Sequence, residues 1–180
     1  MHKKILKWSG FFLAYLSLTT AAFVFGAYVY NRYAVDRWLK APAPPGIMVD
    51  VGGYRLYAMV KGEGNPAVIC INGPDSFSWA WWKIQDELSD EIRVLTYDMG
   101  GFGWSEKATM PVSSKQIVLE LHALLVKTDT KPPFLLAGQS MGAVYAIHFA
   151  KLFPEEIAGV VLVNPMILPE SPSTSTGSET

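Results

Sequence analysis

The central part of this 180-residue chain is predicted to adopt an α/β fold with a mostly parallel sheet and flanking helices. Three observations carry that reading. Short apolar runs alternate with helical patterns from residue 47 onward. Runs such as Ala67–Ile71 (AVICI) have no polar face, as expected of strands covered on both sides. Helical stretches between the runs are long enough for the right-handed crossovers that parallel strands require.

The first element in chain order lies outside that fold. From Trp8 to Tyr30 the sequence WSGFFLAYLSLTTAAFVFGAYVY carries no charge. About 20 apolar helical residues cross a bilayer core. Trp8, Tyr28, Tyr30 and Tyr33 stand at its ends, where amphipathic rings favour the headgroup region. A basic tail, residues 1–7 with Lys3, Lys4 and Lys7, precedes it. A cleaved signal peptide shares the basic start but has an apolar stretch of only about 7–15 residues. Thr20-Ala21-Ala22 offers a cleavage site, yet apolar sequence continues past it. Residues 8–30 are therefore expected to be a retained, single-pass membrane helix. Arg32, Arg37 and Lys40 balance the three preceding lysines, and the amino terminus tips the domain to the extracytoplasmic side.

Residues 31–46 are expected to be a linker, ending in the stiff Ala-Pro-Ala-Pro-Pro-Gly of 41–46. The folded part then spans 47–169, and 170–180 form a disordered Ser/Thr-rich tail. Ile47–Asp50 and Tyr54–Val60 flank Val51-Gly52-Gly53 and read as a hairpin. Ala67–Ile71 follows as a buried strand, Trp81–Leu88 as a short helix, and Ile92–Tyr97 (IRVLTY) as another strand. Ser113–Lys127 is the clearest helix. Ser113 and Gln116 make a capping-box pattern, and Ile117, Leu121, Leu124 and Leu125 recur at helical spacing. Lys131-Pro132-Pro133 breaks the chain before the strand Phe134–Ala137. A helix over Met141–Phe153 and a strand over Gly159–Val163 complete the series.

Composition narrows the functions. Fifteen Lys+Arg against sixteen Asp+Glu give a net charge of -1, so no field of one sign exists to attract nucleic acid. Half the residues are hydrophobic, only 17% are charged, and the mean hydropathy is +0.20, which agrees with one membrane segment plus a packed domain. Cys70 is the single cysteine, which excludes an intramolecular disulfide framework and any multi-cysteine metal site. No ligand cluster or phosphate loop is present in the sequence, so neither a metal nor an organic cofactor is expected. Gly100-Gly101-Phe102-Gly103 lacks the spacing of a dinucleotide fingerprint.

Gly138-Gln139-Ser140-Met141-Gly142 follows a strand and opens a helix. In that context G-x-S-x-G forces the serine into a strained turn with its hydroxyl at the sheet edge. The helix behind it supplies free N–H groups for a developing oxyanion. The bland alternative is a serine helix cap between two glycines that ease a tight turn. Two further sequences bear on the choice. Asn72-Gly73-Pro74-Asp75, with Trp79 and Trp81 beyond, follows AVICI. Asp98-Met99-Gly100-Gly101-Phe102-Gly103-Trp104-Ser105 follows IRVLTY.

Together, in this order, the three sequences resemble the α/β-hydrolase superfamily, whose members often carry a His-Gly loop, a D-x-x-G-x-G-x-S loop and G-x-S-x-G after successive strands. The resemblance covers roughly residues 47–165. It implies that Ser140 is the nucleophile and that the backbone N–H of Met141 is one oxyanion donor. It implies a structural loop for Asp98, Gly100, Gly101 and Gly103. Asn72 and Gln139 stand where many members have His. Pro74 stands where the second oxyanion N–H commonly lies, and proline has none. Either Asp75 supplies that donor from a shifted loop, or it is missing.

The resemblance also implies an acid and then a histidine after the nucleophile. His148 is the only histidine after Ser140, and it lies roughly 12 Å further along the same helix, too far to act as base. His122 and His2 read as ordinary packing or surface residues. Glu155, Glu156 and Glu170 carry no mark of a triad acid. The expected protein is therefore a membrane-anchored serine hydrolase acting on small-molecule carboxylic esters or related acyl compounds. It is expected to be a form truncated after the strand that follows the nucleophile helix, inactive for want of the acid and His. The alternative is a non-catalytic binding module on the same scaffold, displayed at a membrane. The aromatic cluster Phe77, Trp79, Trp81 and Trp82 would serve such a role if exposed, or pack under the loop if not.

Overall fold

A computed structural model describes residues 2–39, 45–74, 76–108 and 113–166. The chain divides into two compact units, Met1–Pro44 and Pro45–Thr180.

The first unit is one helix, α1 (His2–Leu39). Within it Phe11–Arg37 has a mean hydropathy of 1.7 and buries none of its most apolar window in protein. At about 1.5 Å per residue the helix exceeds the ~30 Å of a hydrocarbon core. Three of its hydroxyls bond within the helix. Ser17 donates to the Leu13 carbonyl, and Thr19 and Thr20 donate to that of Leu16. Such back-bonding lets hydroxyls sit in apolar surroundings. A helix of this length and composition suits a membrane span or a signal sequence. It continues beyond Tyr30 to Leu39, so residues 31–39 of the expected linker are helical. Residues 40–44 and the tail from 167 onward lie outside the described residues.

The second unit holds a six-stranded sheet. Its strands are β1 (Ile47–Asp50), β2 (Arg55–Lys61), β3 (Ala67–Ile71), β4 (Val94–Tyr97), β5 (Phe134–Gln139) and β6 (Ile157–Val163). The order is β1-β2-β4-β3-β5-β6. β1 and β2 form the expected hairpin, with Asp50 paired to Arg55. Its turn is closed by Asp50 Oδ1, which accepts the N–H of Gly52 at 2.7 Å and of Gly53 at 3.2 Å. β2 pairs antiparallel with β4, and β4, β3, β5 and β6 run parallel. The mostly parallel α/β sheet read from the sequence is thus the observed one.

The helices are α2 (Trp82–Leu88), α3 (Ser114–Lys127) and α4 (Met141–Leu152), with a 3-10 turn at Ser78–Trp81. Alternate strand residues face opposite sides of a sheet. Ile69, Ile71, Leu95, Phe134 and Leu136 join Leu121, Leu124, Ala146 and Phe149 of α3 and α4 in the larger core cluster. Val68, Cys70, Val94 and Ala137, on the other side, pack against Trp81. Burial pushes the Cys70 thiol up to about 12, so it is a core residue without nucleophilic character.

Only half of the capping box on α3 forms. Ser113 Oγ accepts the Gln116 N–H at 3.2 Å, but the Gln116 side chain donates forward to Glu120 at 2.9 Å. Among the described strands β1 is one edge of the sheet and β6 the other. Val161, Leu162 and Val163 are 47%, 44% and 39% exposed, so neither face of its end is covered among the described residues.

The topology fixes where a site can lie. β4 and β5 flank β3 on opposite sides, so the loops leaving β3 and β5 diverge. In open α/β sheets ligands bind in the crevice at such a switch point, beyond the carboxyl ends of the strands.

Candidate active site

Ser140 stands at that crevice, between β5 and α4, with φ 55° and ψ -120°. A side chain with positive φ is strained and persists only where its surroundings hold it. Three backbone hydrogen bonds do so. Ser140 N–H donates to the Val163 carbonyl at 3.0 Å. The Ser140 carbonyl accepts from Ala143 N–H and from Met166 N–H, each at 3.2 Å.

Gly142 explains how the turn approaches the neighbouring strand. A β-carbon there would collide with the backbone oxygen of Ile71 and would meet that of Asn72 at 2.8 Å. Met141, the first helical residue, presents an N–H that bonds no described residue. Gly73 passes beside it. A β-carbon on residue 73 would stand 3.3 Å from Ser140 Cβ and 3.4 Å from Met141 N. Gly73, Pro74, Ser76, Ser140, Met141 and Met166 line a cavity of about 210 Å³ together with Gln139.

The loop after β3 turns at Gly73, where the Ser76 N–H donates to the Gly73 carbonyl at 3.1 Å. Asp75, the residue expected to supply a second oxyanion donor, lies outside the described residues. Asn72 is buried, and its Oδ1 accepts from Trp81 Nε1 at 2.8 Å. That bond ties the start of the loop to the 3-10 turn that ends it.

Asp98 ties down the same loop from the other side. It is 1% exposed. Its Oδ1 accepts the Ser78 N–H at 2.7 Å and its Oδ2 the Trp104 N–H at 2.9 Å. Its backbone carbonyl accepts Ser105 Oγ at 2.5 Å. Burial raises its carboxyl above the ordinary value, while the donated N–H groups pull the other way. Gly103 has φ 52°, and a β-carbon there would overlap the Asp98 carboxylate. Gly100 packs on the Tyr54 ring, and Gly101 donates its N–H to the Glu106 carbonyl at 2.8 Å. None of Asp98, Gly100, Gly101 and Gly103 lines the Ser140 cavity.

Two histidines are near α4 in sequence or space. His122 Nε2 lies 3.2 Å from Glu156 Oε1, and its ring stacks on Phe153 at 4.1 Å. His148 is half-buried on α4. Neither is hydrogen-bonded to Ser140. The aromatics divide between packed and exposed positions. Trp81 is buried and Trp82 stacks on Trp104 at 6.1 Å, whereas Trp79 is 56% exposed. Among the described residues no group of three or more His, Cys, Asp or Glu is placed to hold a metal.

Met166 and Ser76 were not singled out from the sequence. Asn164-Pro165, a turn signal directly after an apolar strand, is the pattern that points to Met166.

Residues 66–179 match the profile of a family described as alpha/beta hydrolase fold. The chain is 23% identical over 163 residues to the protein YbdG of Bacillus subtilis, covering 89% of this chain and 49% of that protein. It is 31% identical over 121 residues to a 2-hydroxy-6-oxo-2,4-heptadienoate hydrolase of Pseudomonas putida, covering 66% of this chain and 44% of the relative. Among solved structures, a thermophilic esterase from Thermogutta terrifontis superposes with a TM-score of 0.62 at 26% identity, over 73% of this chain and 48% of the esterase. The epoxide hydrolase CorEH shares the fold, with a TM-score of 0.65 at 18% identity over 74% of this chain and 46% of its own. The chain spans about half the length of these relatives or slightly less.

Proposed function

Since this chain belongs to the alpha/beta hydrolase fold family, we propose that it carries the nucleophile and oxyanion elements of a serine hydrolase for carboxylic esters or related acyl compounds. The observation that carries the reading is the Ser140 backbone. A serine held at φ 55° where a strand meets a helix, next to an N–H that bonds no described residue and to a cavity, matches the geometry of acyl transfer. Hydrolase names among the relatives, an esterase included, support the same reaction class.

Ser140 Oγ would add to the acyl carbon as its proton passes to a base. The carbonyl electron pair would move onto oxygen, where the Met141 N–H meets it. Collapse of that adduct would expel the alcohol, and water would release the acid. Pro74 has no N–H to offer, so we assign the second donor to Asp75. Asp98 and its glycines act on this reaction only by fixing the loops.

A hydroxyl without a base is a poor nucleophile. Neither His122 nor His148 bonds Ser140, so the described residues are proposed to leave it unactivated. We further propose that residues 8–30 anchor the chain in a membrane with the folded unit on the extracytoplasmic side. A second reading, a non-catalytic binding module, is favoured by Pro74 and by the exposed Trp79. A fluorophosphonate probe tests the assignment. Labelling of Ser140 is expected near background, with ester turnover unchanged by Ser140→Ala. Rapid labelling that Ser140→Ala abolishes would overturn both the inactivity and the module reading.

A further inference from the structure

The turn that follows β6 reaches back to the nucleophile position. Asn164 has φ 43°, in the left-handed region that asparagine tolerates better than most residues. That conformation reverses the chain at the end of the strand. Two residues later, Met166 N–H meets the Ser140 carbonyl at 3.2 Å. One residue earlier, the Val163 carbonyl accepts the Ser140 N–H at 3.0 Å. The strained residue is therefore gripped on both its amide groups by one short segment, and Met166 from that segment also walls the cavity.

We infer that Asn164 is a positioning residue for Ser140. This rests on reading Ser140 as the nucleophile. Its left-handed backbone delivers the Met166 N–H to the Ser140 carbonyl and so keeps Ser140 in its own left-handed conformation. A β-branched residue at 164 disfavours positive φ, whereas glycine accepts it freely. Valine should therefore release the grip, and glycine should preserve it. Removing the donor directly, with proline at 166, should act as valine does.

Isotope-labelled full-length chain in detergent micelles provides the test, through amide hydrogen exchange and the 13Cα and 13Cβ shifts of Ser140. In the unmodified chain the Met166 amide is expected to exchange at least tenfold more slowly than an unstructured amide. An unprotected Met166 amide overturns the inference with no variant needed. Asn164→Val and Met166→Pro are expected to speed Ser140 amide exchange at least tenfold and to move both Ser140 carbon signals. Asn164→Gly is expected to leave them in place. Amides of Ile69 and Cys70 in β3 report whether a variant has kept the sheet. If Asn164→Val loses the sheet, Met166→Pro is judged alone. Unmoved Ser140 carbons in a folded Met166→Pro chain, or an Asn164→Gly chain that behaves like Asn164→Val, overturn the proposal. These signals report geometry and do not depend on acyl chemistry. Failure here leaves the proposed reaction standing, and failure of the probe experiment leaves this inference standing.

Discussion

The Asp98 carboxylate and the Ser78 backbone N–H lie 2.7 Å apart, and this single bond joins the loop leaving β4 to the loop leaving β3. With the second bond to Trp104 N–H, one buried carboxylate serves two loops with no cationic partner among the described residues. Asparagine can accept with only one oxygen. Asp98→Asn should leave one buried N–H unpaired and cost about 1–3 kcal/mol, measured by chemical denaturation. A variant as stable as the parent would show that water replaces the bond.

The same carboxyl gives a pH signature. Its native value is raised above the ordinary 3.8, first by burial. A raised native value means that its contribution to stability is fully present below 3.8 and is lost as pH climbs through the native value. The stability gap between the parent and Asp98→Asn should therefore widen as pH falls from neutral towards 3.8. The 13Cγ resonance of Asp98 should titrate above 3.8, with the Ser78 amide following the same midpoint. A midpoint below 3.8 would show that the two N–H bonds outweigh burial.

Gly142 has no room for a methyl group. The collision is with the Ile71 backbone oxygen, which cannot swing aside as a side chain could. Gly142→Ala should destabilise the folded unit by about 1–3 kcal/mol or more through overpacking. It should also separate α4 from β3, visible as faster exchange at Ile71. Unchanged stability would mean that the helix can shift without cost.

The edge strand β6 has seven residues, no charge and no proline, and its last three side chains are well exposed. Such an edge invites pairing with other chains. The folded unit should self-associate, and Val161→Lys with Val163→Lys should suppress this in light scattering while leaving the cores on both sides of β3 intact. Equal scattering by parent and variant would place the association elsewhere, with α1 the next element to examine.

The helix α1 makes a separate prediction about location. The full chain should fractionate with membranes and resist carbonate extraction, and a chain beginning at Ala41 should not. A soluble product beginning near Ala22 would identify the segment as a cleaved signal.

Local signals made most of this fold readable. AVICI is wholly apolar, and it became a strand buried at all five residues. Ser113 was legible as a cap because its oxygen needs only a neighbour three residues on. Gln116 was not, because Glu120 competes for its amide, and that competition depends on how α3 packs. Ser140 was visible because a strained strand-to-helix turn needs small neighbours at fixed offsets. Met166 was not, since its part in the site depends on β6 lying beside β5. The double role of Asp98 was hidden for a similar reason. One of its donors, Ser78, comes from another loop that only the sheet order brings near.

The bonds that hold Ser140 also set an order of assembly. Its two amide partners, Val163 and Met166, are made after it on the ribosome. Domains form largely as units during synthesis, from the N-terminal side. When α4 first coils, the residue at its start has no partner for its N–H, and its carbonyl lacks the Met166 donor. The serine can take its final shape only once β6 and the turn after it have left the exit tunnel and docked. A nascent chain stalled before residue 163 would present the full G-x-S-x-G sequence without the geometry that gives it meaning.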